Sequence, residues 1–138
     1  MTYAIGDPVP MLYRCTPDGA SQELLLTLDT HNYVRGLALD PVGGKIYWSS
    51  SDGYVAGNGK IRRANLDGTG VEDLVTGMIY PYGIALDMAT GKMFWIRQEV
   101  NSIWRANLDT WKLHNAPCIC LRRRCRNTPA ASRPWPLR

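Results

Sequence analysis

Two aspartates, Asp40 and Asp87, are the first candidates for chemistry in this chain, because paired carboxylates can divide acid and base work between them. Their contexts argue for another role. Asp40 ends the run Gly36-Leu-Ala-Leu-Asp40, and Asp87 ends Gly83-Ile-Ala-Leu-Asp87, 47 residues later (40 to 87). A residue set at the same place in successive copies of a motif is put there by the fold. An Asp ahead of a turn accepts hydrogen bonds from the turn amides. Asp67 and Asp109, with Asn65 and Asn107, recur in the same way and take the same structural reading. The rest of the catalytic vocabulary is thin. His31 and His114 sit in unrelated contexts without metal-ligand spacing. There is no Gly-Xaa-Ser-Xaa-Gly elbow, and Gly57-Asn-Gly59-Lys60 lacks the phosphate-loop pattern. No catalytic residue, metal ligand or cofactor is assigned.

The elements that would position these residues are themselves repeated. Gly44-Lys45 followed by Tyr47-Trp48 returns as Gly91-Lys92 followed by Phe94-Trp95. Ile61-Arg-Arg-Ala-Asn-Leu-Asp67 returns as Ile103-Trp-Arg-Ala-Asn-Leu-Asp109, 42 residues on (61 to 103). A fainter copy, Leu12-Tyr-Arg14-Cys-Thr-Pro-Asp18-Gly19, lies 49 residues before Ile61 (12 to 61) and sets Glu23 on Glu72 and Leu25 on Leu74. A period in the forties built from strand-like segments marks a propeller blade rather than a helical solenoid. Lys45-Ile-Tyr-Trp-Ser49 and Lys92-Met-Phe-Trp-Ile96 have the aromatic and large apolar residues that suit a pleated, buried surface. Asp40–Gly44, Asp87–Gly91 and Asn65–Gly68 read as turns. Val71–Val75 reads as an outer strand. Leu24–Leu28 could be a short helix by composition, although its repeat partner is a strand. No segment keeps a 3.6-residue apolar period long enough for a confident helix.

These motifs resemble the YWTD repeat of six-bladed β-propellers, also called the low-density-lipoprotein-receptor class B repeat. The resemblance covers roughly residues 10–111. It departs where the family name sits: Tyr-Trp-Thr-Asp is Tyr47-Trp48-Ser49-Ser50 in one copy and Phe94-Trp95-Ile96-Arg97 in the next. The resemblance implies an all-β chain that is part of a six-bladed, TolB-like ring. It also implies a non-enzymatic, protein-binding scaffold like those of lipoprotein-receptor-like proteins. The alternative is a fragment of a propeller enzyme, similar to lactonase-like or streptogramin-lyase-like families, with a channel metal such as Ca²⁺.

A ring of six blades needs about 250 residues at roughly 40–45 per blade. The 138 residues here supply two and a half to three four-stranded blades. Residues 1–111 are expected to form an incomplete ring, so association through open blade edges is a further expectation. The repeat stops there. Residues 112–138 hold Cys118, Cys120 and Cys125 in a Pro-containing, basic stretch. It reads as a disordered tail, a cysteine module or sequence out of its native frame; three cysteines cannot close a disulfide framework. Six of the 16 Lys+Arg lie in residues 118–138, which carry no acid, so the overall +4 charge belongs to this tail. The blade region has no basic footprint for nucleic acid. No apolar run approaches a membrane span. The first ten residues lack a signal-peptide pattern, whereas the resemblance points outside the cell, so the compartment is left open.

The repeated Trp48 and Trp95 are expected to be core anchors between blades. The repeated Arg14, Arg63 and Arg105 are expected to bond a neighbouring blade. The unrepeated residues are better candidates for partner contact. Ser50–Gly59 is polar and Gly-rich and carries Asp52, Tyr54 and Asn58, and loops on rigid scaffolds often carry binding. The approach to the inner strand carries Tyr33 and Arg35 in one copy and Tyr80 and Tyr82 in the next. In propellers similar to this one, that connection opens onto the face that meets partners, and Tyr and Arg are favoured interface anchors. The same tyrosines could equally serve blade packing.

Overall fold

The computed structural model describes residues 9–29, 32–52, 57–98 and 101–110 in full, and the backbone of 2–5 and 119–120. Tyr54 and most of the stretch 112–138 lie outside the described residues. Eleven strands are present among the described residues: β1 (Thr2–Ile5), β2 (Met11–Cys15), β3 (Gln22–Thr27), β4 (Tyr33–Asp40), β5 (Lys45–Ser51), β6 (Gly59–Asn65), β7 (Glu72–Met78), β8 (Pro81–Asp87), β9 (Lys92–Arg97), β10 (Ser102–Asn107) and β11 (Ile119–Cys120). They form three antiparallel sheets, β1-β2-β3, β4-β5-β6-β7 and β8-β9-β10-β11. Each is a meander of strands in sequence order, so each is one blade of a partial β-propeller.

Turn chemistry closes the hairpins. Asp40 Oδ1 accepts the Gly43 N–H at 2.7 Å, and Asp87 Oδ1 accepts those of Ala89 and Thr90 at 3.1 and 3.2 Å. Gly44 and Gly91 then take φ of +66° and +62°, a region that side chains disfavour. Between β6 and β7, Asp67 Oδ1 accepts the Thr69 N–H at 2.9 Å. The repeated Lys and Asn tie neighbouring strands together, Lys45 Nζ donating to Asn65 Oδ1 at 2.5 Å and Lys92 Nζ to Asn107 Oδ1.

The core lies in two seams between blades. In the first, Leu12 and Leu28 meet Ile46, Trp48 and Ala64. In the second, Tyr47, Ile61, Leu74, Val75 and Met78 meet Met93, Trp95, Ala106 and Leu108. Residues alternate between faces along a strand. Ile46 and Trp48 therefore turn towards the preceding blade and Tyr47 towards the following one. That is why β5 reads as a continuous apolar run: both of its faces are buried. Trp48 and Trp95 are 0% and 1% exposed.

The inner strands of the second and third blades come close together. A Cβ on Gly36 of β4 would stand 2.8 Å from Gly83 Cα and 2.8 Å from Ile84 N of β8, so only glycine fits that crossing.

Three expectations change. Leu24–Leu28 is not helical: Gln22–Thr27 is strand β3, because pairing with β2 lets Leu25 and Leu26 pack into the first seam. The third blade continues past residue 111, since Ile119 and Cys120 pair with Ile103 and Ser102. Two of the three repeated arginines make ion pairs within their own blades: Arg14 with Glu23 at 2.6 Å and Arg63 with Glu72 at 2.5 Å, each with its directly opposed residue on the next strand. The bridge between blades is made by its neighbour Arg62, which reaches Asp73 in its own sheet and Asp29 after β3, both at 2.6 Å. Among the described residues no helix is long and apolar enough to cross a membrane.

Candidate functional site

Strand direction sorts the candidate residues to opposite ends of the blades. The β4–β5 and β8–β9 turns and the β6–β7 turn lie at one end, with Asp40, Asp67 and Asp87, and Asp109 follows β10 at that end. Each of Asp67 and Asp87 is held below the usual carboxylate range, first by the hydroxyl of Thr69 or Thr90 and then by the backbone N–H of the same residue. These are local turn bonds.

The unrepeated candidates gather at the other end. Tyr33 opposes Ser51, and Tyr82 opposes Ile96. The Arg35 guanidinium carbon lies 5.5 Å from the Tyr33 ring centroid and 5.4 Å from that of Tyr82, and Arg35 Nε donates to Ser51 Oγ at 3.4 Å. Tyr33 and Arg35 belong to the second blade and Tyr82 to the third, so this group spans their seam. Asn58 Nδ2 donates to Asp52 Oδ2 at 2.6 Å, which brackets the β5–β6 loop at the same end. Tyr80 is half-buried just before β8, and its carbonyl accepts the Gln98 N–H at 3.1 Å.

Sequence reasoning missed a second stack at this end. Arg97 lies over the Trp104 ring at 4.5 Å, and Trp104 Nε1 donates to Ser102 Oγ at 2.8 Å. The signal was available: Arg97 stands where the other copy has Ser50, and Trp104 where it has Arg62. Both break the repeat.

An arginine held against aromatic rings keeps its charge and in-plane donors while losing conformational freedom. Such a group suits a planar acceptor such as a carboxylate, with the rings offering apolar contact area. Among the described residues, no three of His, Cys, Asp and Glu stand together as metal ligands would.

Three four-stranded or near-four-stranded meanders, packed face to face around close inner strands, define part of a β-propeller. No protein-family model matches the chain. Over 104 residues, 71% of the chain, it is 33% identical to low-density lipoprotein receptor-related protein 1 of Pyricularia oryzae. It is 35% identical over 93 residues to low-density lipoprotein receptor-related protein 5 of Mus musculus, and 31% identical over 96 residues to the related protein 5-like protein of Homo sapiens. The chain spans 33%, 6% and 36% of the lengths of those three proteins. Among solved structures it superposes on a chain of the nidogen/laminin complex with a TM-score of 0.62 at 22% identity, covering 77% of this chain and 40% of that one. A TolB-type protein of Agrobacterium tumefaciens gives 0.64 at 19% identity, covering 82% of this chain and 43% of that one. The chain is thus similar over about 70% of its length to low-density lipoprotein receptor-related proteins, carries repeats of the YWTD type, and has the fold of part of a β-propeller.

Proposed function

We infer that the chain serves as a non-enzymatic protein-binding scaffold and that its partner docks on the end carrying Tyr33, Arg35, Tyr82, Asp52 and Asn58. The observation that carries this reading is the Arg35 guanidinium set against rings from two blades. Its chemistry fits a partner that presents an acidic side chain beside an apolar one. Tyr80 belongs to the same proposed face through the connection that holds it. Receptor-related relatives and the nidogen/laminin neighbour support protein recognition as the class of function. No specific observation favours the alternative of a propeller enzyme with a channel metal.

The test is selection from a displayed random-peptide library on the immobilised chain. Selected peptides should carry Asp or Glu, and Arg35→Ala or Tyr82→Ala should weaken their binding at least tenfold. Asp67→Ala, at the opposite end, should leave binding unchanged. Peptides that bind the Tyr33→Ala/Arg35→Ala/Tyr82→Ala variant as well as the parent would overturn the reading.

A further inference from the structure

The third blade carries a second arginine platform at the candidate end, built from residues that depart from the repeat. Arg97 lies 4.5 Å over the Trp104 ring, closer than Arg35 lies to Tyr33 or Tyr82. Arg97 and Trp104 stand where the second blade has Ser50 and Arg62. Residues that the fold itself requires recur from blade to blade, and these do not. In the second blade Arg62 is engaged in structure, through its ion pairs with Asp29 and Asp73. In the third blade the arginine stands one strand further in and rests on a ring.

That ring is held in place. Its Nε1–H donates to Ser102 Oγ at 2.8 Å, Ser102 is buried, and Trp104 packs against the core of the second seam. Strand pairing sets Arg97 opposite both Pro81 and Ser102, and Trp104 opposite Trp95. Met93, Trp95 and Arg97 share one face of β9, so Arg97 and Trp104 turn towards the second blade as Trp95 does. The platform therefore lies along the seam between the second and third blades, the seam that Arg35 and Tyr82 also span. Buried Pro81 stands between the two stacks, with the start of β6 seated on it: a Cβ on Gly59 would be 2.5 Å from Pro81 Cδ. Tyr82 is on β8 and Trp104 on β10. Two strand spacings separate the rings, which sets the stacked arginines about 10 Å apart.

We propose that this end takes an extended acidic peptide segment, with one carboxylate on Arg35 and a second on Arg97. The proposal rests on the protein-binding reading above and extends it from one acid to two. A guanidinium stacked on a ring points its in-plane donors in a fixed direction, which suits a carboxylate better than a mobile ammonium would. An extended chain advances about 3.3 Å per residue, so acids two to four positions apart span the gap. The rings of Tyr82 and Trp104 offer apolar area to the residues between them. Charge favours this occupant: both arginines lie on one rim, and Asp52, an acid at the same end, is turned to Asn58 at 2.6 Å.

The probes are the library peptides selected on the parent chain, resynthesised with a fluorescent label and titrated with the full chain by anisotropy. They should carry two acids two to four positions apart, and replacing either acid by its amide should weaken binding about tenfold. Arg97→Gln keeps the stem over the ring. It should cause the same loss with the two-acid peptide and no further loss once the matching acid is an amide. Arg97→Glu should bind a peptide with lysine in place of that acid better than the parent does, which a merely structural role for Arg97 would not produce. Peptides that depend on Arg35 but bind Arg97→Gln as tightly as the parent would overturn this proposal alone and leave the single-acid reading standing. An equal loss on Arg97→Gln for the amide peptide would also overturn it, because Arg97 would then act through the fold. Selection that yields no peptide, or peptides indifferent to Arg35, would overturn both readings.

Discussion

Replacing Gly36 by alanine tests the close approach on which both the seam and the candidate binding face depend. Gly36 has no positive φ. The backbone there accepts alanine, and the stiffer unfolded chain stabilises the fold by about 0.4–1 kcal/mol. The clash works against this. The new Cβ would stand 2.8 Å from Gly83 Cα, 2.8 Å from Ile84 N and 3.0 Å from the Gly83 carbonyl carbon. Carbon contacts settle at about 3.5–4.0 Å, so β4 and β8 must part by roughly 0.5–1 Å. All three neighbours are backbone atoms, and no rotamer change relieves them. Overpacking costs about 1–3 kcal/mol, and three rigid contacts place this case at the top of that range. The net loss is about 2 kcal/mol.

Urea unfolding at fixed protein concentration, followed by tryptophan fluorescence, would read this loss as a midpoint lower by about 1 M. Gly83→Ala is the comparison. Its nearest obstacle is Ile96 Cδ1 at 3.9 Å, but its φ of +38° strains an alanine by about 1 kcal/mol. Gly36→Ala should therefore fall further than Gly83→Ala. The same separation draws Arg35 away from the Tyr82 ring, so peptides selected on the parent should bind Gly36→Ala more weakly. A Gly36→Ala midpoint equal to or above the parent's, with an unchanged slope, would refute the close packing of the inner strands.

Arg62→Leu removes the bridge from Asp73 to Asp29 between the first two blades and should lower stability by about 1–3 kcal/mol, measured by the same unfolding. A loss no larger than that of an exposed substitution would show that the bridge holds nothing. Burial alone would raise the Asp73 carboxyl, but its bonds from Lys60 and Arg62 outweigh this and hold it below the ordinary value of 3.8. A depressed folded value contributes stability that is complete above the unfolded value and lost as pH falls through the folded one. The urea midpoint should therefore drop on acidification below about pH 4, and Asp73→Asn should flatten that drop. Titration with Ca²⁺ should leave the thermal midpoint unchanged; a rise with the logarithm of concentration would favour the metal-dependent enzyme alternative.

Blade boundaries were legible in the sequence because they are written locally. Gly-Xaa-Ala-Leu-Asp, the aromatic pair and Ala-Asn-Leu-Asp each specify a strand or a turn within a few residues, and their recurrence gave the period. The apolar run Ile46-Tyr47-Trp48 read as a strand on a buried surface; that both of its faces are covered came from the blades packed on either side. Other features depend on which strands become neighbours. Arg35 meets Tyr82 because inner strands 47 residues apart cross at Gly36 and Gly83. Arg63 turned to Glu72 in its own sheet, and Arg62 turned to Asp29 across the seam, because strand alternation sends adjacent side chains to opposite faces. The sequence alone determined that this chain builds repeated antiparallel blades with Asp-capped turns. Only the tertiary structure decided which unrepeated side chains share an end, and which of them meet across a seam. Those outcomes follow from packing between distant segments, which no local pattern encodes.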